Sequence, residues 1–235
     1  MQRVLSFIRR ATDDYGMINE GDKIAVGVSG GKDSITLALG LCALKKFYPK
    51  KFDVVPITLA MGFEDMDFEP LKRLFADYGE ELHVENTDIK KILFDVRKEE
   101  NPCSLCAKLR RGALHNSALA HGCNKVALGH HSDDAIETFF LSLFFEGRIN
   151  CFSPVTYLDR KNIHVIRPLI YMTESEVRGF MNRSGITPVR NMCPADGYTK
   201  RQYVKELLSS LSAENHGLKE RLFTAVKSLD DWKLN

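Results

Sequence analysis

The pattern of apolar and polar positions switches repeatedly between strand-like runs and helical spacing along the first two thirds of the chain. Short apolar runs typical of buried strands lie at residues 23–29, 52–59, 81–85, 125–128 and 164–166. Apolar residues recur at helical spacing over residues 4–15, 33–47, 68–78, 89–97, 104–121 and 133–145. This order predicts an α/β fold with a parallel five-stranded sheet and helices on both faces.

The last quarter of the chain has helical spacing without strands. Helices are predicted over residues 174–184, 200–211 and 218–232. We therefore expect a sheet domain with a leading helix over residues 1–170. Residues 171–235 are expected to form a C-terminal helical appendage that packs against it.

Composition restricts the class of protein. The 235 residues are 44% hydrophobic and 27% charged, as in an ordinary globular protein. No apolar run approaches the roughly 18 residues needed to cross a bilayer, and the N-terminal residues lack a secretory signal. We expect a cytoplasmic protein that does not enter a membrane. Its six cysteines are then thiols for packing, metal binding or catalysis rather than disulfides.

Charge is distributed unevenly along the chain, although the net charge is only +2. Residues 61–100 carry six Lys or Arg and twelve Asp or Glu, whereas residues 101–235 carry 18 and 13. A polyanion such as RNA would therefore bind the second half more readily than the acidic middle segment.

A glycine-rich loop joins the first strand of the sheet to the next helix. Glycines let the backbone turn sharply and approach a ligand, and free amides at a helix start favour bound phosphate. Lys32 adds a positive charge, while the spacing differs from that of a Walker loop. The loop consists of Ser29, Gly30, Gly31, Lys32, Asp33 and Ser34. It resembles the signature loop of the ATP-pyrophosphatase (PP-loop) superfamily, which implies that it binds the pyrophosphate end of ATP.

Two further segments follow strands, at the sheet edge where ligands bind in open α/β folds. The first contains Thr58, Leu59 and Met61, which the PP-loop resemblance places against adenosine. The second is Gly129-His130-His131-Ser132-Asp133-Asp134, in which the resemblance marks Gly129 and His130 as neighbours of the nucleotide.

Asp133 and Asp134 lie at a predicted helix start, poised to bind Mg²⁺ or to orient the acceptor. Helix capping is the alternative role for Asp133, and both roles are compatible. The sequence does not decide which of the two carboxylates is catalytic.

Two cysteines open the helix after Pro102, at Cys103 and Cys106. Their spacing lets both sulfurs converge on one metal, and the helix start favours the thiolate form. A closed site needs further ligands, and Cys193 can supply one because it lies in an irregular segment between two helices. The other cysteines are predicted to be packing residues, namely Cys42, Cys123 and Cys151.

The cysteines and their neighbours resemble the tRNA 2-thiocytidine synthetase (TtcA) family over residues 23–208. The similar motifs are PCSLC at 102–106, LRRG at 109–112, ALGHHSDD at 127–134, IRPL at 166–169, and Cys193 ahead of Arg201-Gln202. The resemblance implies that Cys103, Cys106 and Cys193 hold a [4Fe-4S] cluster whose fourth iron lacks a protein ligand. Family members often carry a cysteine where this chain has Arg190.

The implied reaction is thiolation of a tRNA base. A base carbonyl attacks the α-phosphate of ATP, and sulfide then displaces AMP from the adenylated base. Mg²⁺ and Lys32 would stabilise charge on the phosphates, and Arg110 could hold a phosphate of ATP or RNA, with a solvated helix face as its alternative. The expected partners are tRNA, a sulfur donor (cysteine desulfurase-derived or inorganic sulfide) and a second copy in a homodimer.

Three other functions remain open from the residues alone. The chain could be a PP-loop ligase or amidation enzyme with structural zinc, which metal content would distinguish. It could also be a nucleotide-dependent RNA-binding sensor or a cluster-dependent desulfidase of thiolated bases. The intact phosphate loop argues against these last two functions.

Overall fold

The computed structural model describes residues 1–63, 67–97, 102–189 and 200–232. The strands are β1 (Asp22–Gly27), β2 (Phe52–Ala60), β3 (His83–Asn86), β4 (Lys125–Ala127), β5 (Val155–Leu158) and β6 (Ile163–Ile166). The α-helices are α1 (Gln2–Asp14), α2 (Lys32–Lys45), α3 (Glu69–Ala76), α4 (Pro102–Ala120), α5 (Ser132–Phe145), α6 (Glu174–Ser184), α7 (Lys200–Glu214) and α8 (Leu218–Lys227). Short helical segments of other types lie at Lys91–Val96, Asp159–Lys161 and Asp230–Trp232.

The strands form one six-stranded sheet in the order β3-β2-β1-β4-β6-β5. Pairing is parallel from β3 to β6, and β5 joins the edge antiparallel to β6. Because the chain proceeds outward from β1 in both directions, the crevice at the carboxyl ends of β1 and β4 is a topological switch point, where open α/β sheets bind ligands.

The prediction of five parallel strands was wrong by one strand. The additional strand, β5, is four residues long and lacks a buried position, so its sequence carries no apolar run. It pairs with β6 through a tight connection in which Asn162 adopts the left-handed conformation. The α/β class and the sheet with helices around it agree with the expectation.

Alternating residues of β1 send side chains to the two faces of the sheet. Ile24 and Val26 belong to the core shared with α1 and α2, whereas Ala25 packs in a second core with Leu114 and Ala118 of α4. Helix α2 is covered on nearly all sides, which explains why its apolar residues form an almost continuous run. The phosphate loop is therefore anchored between two buried elements.

The C-terminal helices pack beside the sheet domain. Ile136 of α5 forms a small buried cluster with Val204 and Leu208 of α7. This contact brings α7 alongside the helix that starts at the two aspartates. The division at residue 170 remains a prediction. Within the described residues, no helix combines the length and apolar character needed to span a membrane.

Candidate active site

The loop after β1 has a conformation that requires glycine. Gly30 has φ +81°, and a Cβ at this position would lie 2.8 Å from Val189 Cβ. The Val189 N–H donates to the Gly30 carbonyl at 2.9 Å, and this hydrogen bond holds Val189 against the loop. Ser34 Oγ accepts from the Ser29 N–H at 3.1 Å and donates to the Gly31 carbonyl at 2.9 Å. The loop is thus closed on itself at the start of α2.

Lys32 is held by two carboxylates. Its Nζ lies 3.1 Å from Asp33 Oδ2 and 3.3 Å from Glu174 Oε1, at the start of α6. Burial alone would lower the pKa of Lys32, but the two carboxylates outweigh it and raise the pKa above its usual value. Glu174 also accepts from Lys205 Nζ of α7 at 2.8 Å. Burial opposes ionisation of Glu174, yet Lys205 and Lys32 lower its pKa to about 2.

Gly129 follows β4 and lies against the start of α2. A Cβ on Gly129 would be 3.0 Å from the Asp33 carbonyl carbon and oxygen and 3.1 Å from the Ser34 nitrogen. The segment that contains the aspartates therefore reaches the phosphate loop at backbone contact. Two loops that are about 100 residues apart in sequence form one edge of the crevice.

The residues predicted to contact adenosine lie at the end of β2. The Val28 N–H donates to the Ile57 carbonyl at 2.8 Å, so Thr58 and Leu59 follow directly beside the strand that leads into the phosphate loop. Thr58 is buried, while Leu59 and Met61 are half-buried. Their contact with adenosine stays a prediction.

Asp133 is enclosed by the protein. Its Oδ1 lies 2.6 Å from Lys219 Nζ of α8, and its Oδ2 accepts from the Glu174 N–H at 2.8 Å. Burial opposes ionisation of Asp133, but these partners lower its pKa. With its side chain 6% exposed, Asp133 joins α5 to α6 and α8.

Asp134 is the more accessible of the two carboxylates, with its side chain 19% exposed. Its Oδ2 accepts from the His131 N–H at 2.9 Å, and the Asp134 N–H lies 3.4 Å from His131 Nδ1, in a reciprocal cap of α5. Its Oδ1 lies 3.1 Å from Arg201 Nη1 of α7. The cap fixes the carboxylate at the crevice, where it can meet a ligand.

Buried polar atoms beside the loop fit a polar ligand. Asp33 Oδ1 is buried without a hydrogen bond, 3.6 Å from His131 Nε2, and His130 Nδ1 is also buried without a partner among the described residues. Buried polar atoms are normally satisfied, and exceptions concentrate at sites that bind a ligand. The free amides at the start of α2 suit the phosphate groups of a nucleotide, whereas the Asp33 oxygen, an anionic acceptor, suits a cation or a donor that accompanies them.

Two buried groups near the aspartates, Glu137 and His130, have pKa values that differ from their usual ones. Burial, and secondly the charge of Asp134, raises the pKa of Glu137 to about 7, even though Arg201 lies 3.9 Å away. Burial lowers the pKa of His130 to about 4, and its ring lies 4.9 Å from that of Phe152. His130 is therefore neutral at pH 7, and Glu137 is poised between its two protonation states.

The first turn of α4 carries the cysteine pair. Cys103 is exposed and Cys106 is half-buried, and their spacing, continued by exposed Arg110, places them on one side of the helix. Two thiols at a helix start are a suitable donor pair for a metal or cluster. Cys193, the third predicted ligand, lies outside the described residues. Across residues 1–63, 67–97, 102–189 and 200–232, no three His, Cys, Asp or Glu side chains form a metal site.

The other cysteines, Cys42, Cys123 and Cys151, are buried. Burial raises the pKa of Cys42 and Cys151 to about 12, so both remain thiols at neutral pH. Since metals bind the thiolate, these two residues are poor candidates for ligands.

Comparison with known proteins decides the family. The model of the PP-loop domain family matches residues 3–211. A tRNA-cytidine(32) 2-sulfurtransferase from Geobacter metallireducens is 38% identical over 231 residues, which cover 97% of this chain and 90% of that protein. The chain belongs to the tRNA 2-thiocytidine synthetase family of PP-loop proteins.

Solved structures agree with the PP-loop fold. The U34-tRNA thiolase NcsA from Methanococcus maripaludis, solved with its [4Fe-4S] cluster, matches with a TM-score of 0.76 at 22% identity, over 94% of this chain and 76% of that one. An NH₃-dependent NAD synthetase from Campylobacter jejuni matches with a TM-score of 0.52 at 17% identity, over 96% and 91% of the two chains. At these identities the likeness shows the fold alone.

Several charged residues of this PP-loop site were not among the sequence-based candidates. They are Glu174, Arg201, Lys205 and Lys219. Glu174 pairs with Lys32 of the phosphate loop and with Lys205, Arg201 pairs with Asp134, and Lys219 pairs with Asp133. The sequence motif at residues 201–202 contains Arg201 but does not indicate its contact with Asp134. No spacing rule connects these residues to the loop, because their contacts depend on how the C-terminal helices pack.

Gly129→Ala tests the close approach of the two loops. The new methyl group must displace backbone at Asp33 and Ser34, so we expect the KM for ATP to rise about tenfold in the folded variant, the effect of roughly 1.4 kcal/mol. Gly179→Ala is the matched control, since its Cβ would meet only the flexible end of Arg183, at 3.2 Å. Equal KM values for both variants would contradict this geometry.

Proposed function

We propose that the chain is an ATP-dependent tRNA sulfurtransferase that replaces the 2-oxo group of a cytidine with sulfur through an adenylated base. The curated relatives that it resembles are named as 2-sulfurtransferases of cytidine 32 in tRNA, which supports the sulfur-transfer part of the proposal. The single observation that supports it best is the backbone contact between the phosphate loop and the segment that carries Asp134. This contact can bring ATP and an acceptor carbonyl to one crevice.

In the first step, the phosphates of ATP bind the amides of residues 29–34, and Lys32 neutralises the developing charge on pyrophosphate. The cytidine O2 attacks the α-phosphorus, a new O–P bond forms, and pyrophosphate leaves. Asp134, rather than Asp133, supplies the accessible carboxylate that holds Mg²⁺ on the phosphates or orients the acceptor. The enclosed Asp133 instead fixes the start of α5 in place.

In the second step, sulfide attacks C2 of the adenylated base, a C–S bond forms, and AMP leaves with the former O2. A [4Fe-4S] cluster held by Cys103, Cys106 and Cys193 would supply an open iron that binds the incoming sulfur. Arg110, one turn beyond Cys106 on the same side of α4, is placed to hold a phosphate of the substrate. The sulfur donor is inorganic sulfide or sulfide derived from a cysteine desulfurase.

The ligand set is tested by iron, sulfide and zinc analysis of protein purified without oxygen. About four irons per chain are expected for one [4Fe-4S] cluster, with loss of iron in Cys103→Ala and Cys193→Ala. Cys123→Ala is the matched control and should retain iron, because Cys123 is buried away from α4's first turn. Stoichiometric zinc without iron would contradict the proposal and favour an amidating PP-loop ligase.

A further inference from the structure

Large apolar side chains are exposed around the C-terminal end of α5. We call this surface the α5 tip and define it by Phe144, Phe145, Ile149, Lys200 and Tyr203. Ile149 is 71% exposed, Tyr203 is 58% exposed, and the two phenylalanines are nearly half exposed. The loop after α5 folds back on the helix, because the Arg148 N–H donates to the Ser142 carbonyl at 3.1 Å. Clustered exposed apolar groups of this kind mark binding surfaces.

Cations are interleaved with the aromatic rings of the tip. Lys200 Nζ lies 4.7 Å from the centre of the Phe145 ring, and the Tyr203 ring is 6.4 Å from that of Phe145. Arg148, which directly precedes Ile149, is also exposed. Exposed rings that stack on bases, combined with Lys or Arg for the backbone, are the features that bind single-stranded nucleic acid.

The tip is connected to the candidate active site through both of its helices. Along α5, Phe145 lies eleven positions after Asp134, a rise of about 16 Å. Along α7, Arg201 contacts Asp134, whereas its neighbours Lys200 and Tyr203 belong to the tip. A strand whose reactive base is held at Asp134 can therefore place nucleotides a few positions away on the tip.

We propose that the α5 tip binds unpaired bases of the tRNA loop that contains the reactive cytidine. The proposal rests on the proposed function and identifies its RNA-binding surface. A second copy of the chain is the competing occupant, since apolar residues also suit a dimer. The placement of Lys200 on the Phe145 ring favours RNA, because an ammonium beside an exposed aromatic ring suits a polyanion, whereas lysine is depleted from the core of protein interfaces.

The test compares the Kd for unmodified tRNA between variants, by fluorescence anisotropy at fixed salt. We expect Phe145→Ala and Tyr203→Ala each to weaken binding about tenfold, while Tyr203→Phe, which keeps the ring, binds like wild type. Lys200→Gln should weaken binding and reduce its dependence on salt. Phe47→Ala is the matched control, because Phe47 is 54% exposed just beyond α2, at the end of that helix remote from the phosphate loop.

A single-stranded oligonucleotide should compete with tRNA for wild type, and its competition should weaken in Phe145→Ala. Thermal unfolding and the KM for ATP should stay unchanged in every tip variant, which separates lost RNA contacts from misfolding. Unchanged tRNA affinity in a Phe145→Ala/Tyr203→Ala double variant would overturn the assignment of the tip to RNA, but it would not contradict the proposed sulfurtransferase function. A change of mass in light scattering with unchanged affinity would assign the tip to a second copy, and a wild type that binds no tRNA would overturn both proposals.

Discussion

Asp134→Asn is expected to lower the single-turnover rate of base thiolation by about 10²- to 10³-fold, the loss typical for removal of one electrostatic group at a reacting phosphate. The substitution keeps the shape of the side chain and its contact with the His131 N–H, so the cap of α5 persists. It removes the negative charge that can hold Mg²⁺ or orient the acceptor. The rate is measured as thiolated nucleoside formed by excess enzyme with saturating ATP.

Asp133→Asn is the matched comparison for this prediction. Its carboxylate is enclosed by Lys219 and the Glu174 N–H, so the expected effect is structural. We expect the free energy of unfolding to fall by about 1.5–3 kcal/mol, the usual contribution of a hydrogen bond to a charged group. Thiolation should persist below the unfolding temperature. A larger rate loss in folded Asp133→Asn than in Asp134→Asn would reverse the assignment of the two carboxylates.

Lys32→Met is expected to reduce kcat/KM for ATP about 10²-fold. The ammonium at the phosphate loop is positioned by Asp33 and Glu174, and methionine keeps the length of the side chain without the charge. The measurement is pyrophosphate release in the presence of tRNA across a range of ATP concentrations. Lys46→Met serves as the control, since Lys46 lies at the opposite end of α2 and packs near Tyr78.

Glu174→Gln separates positioning of Lys32 from its charge. We expect Glu174→Gln to lose less kcat/KM for ATP than Lys32→Met does, and to be less stable than wild type at pH 7. Because the pKa of Glu174 is depressed to about 2, its stabilising contribution is complete above the ordinary glutamate value and is lost as pH falls toward 2. The stability difference from wild type should therefore shrink on acidification. Wild-type values of kcat/KM for ATP in both Lys32→Met and Glu174→Gln would contradict an ATP site at this loop.

The fold was predictable where the hydrophobic pattern is strong. Strands such as β1 and β2 are buried on both faces, so each shows a clear apolar run. Helix α2 begins directly after the glycine loop, so its start is marked in the sequence. Strand β5 escaped prediction because a short, half-exposed edge strand carries little apolar signal. The same property makes edge strands depend on their neighbour for pairing rather than on their own sequence.

The candidate site was predictable only for its local motifs. Glycines, Lys32 and the aspartate pair lie in contiguous segments whose spacing has a physical reason. Glu174 and Lys219 could not be found in this way, since their roles depend on α6 and α8 docking against α5. The relation of Cys193 to Cys103 and Cys106 stays a prediction, because Cys193 lies outside the described residues.

The most direct test is to incubate anaerobically purified protein with unmodified tRNA, ATP, Mg²⁺ and sulfide, and to quantify thiolated cytidine, AMP and pyrophosphate together. We predict that thiolated cytidine, AMP and pyrophosphate form in equal amounts, and that omission of ATP or sulfide abolishes the thiolated nucleoside. Iron-loaded wild-type protein that binds tRNA and ATP yet yields no thiolated cytidine would contradict the proposed reaction.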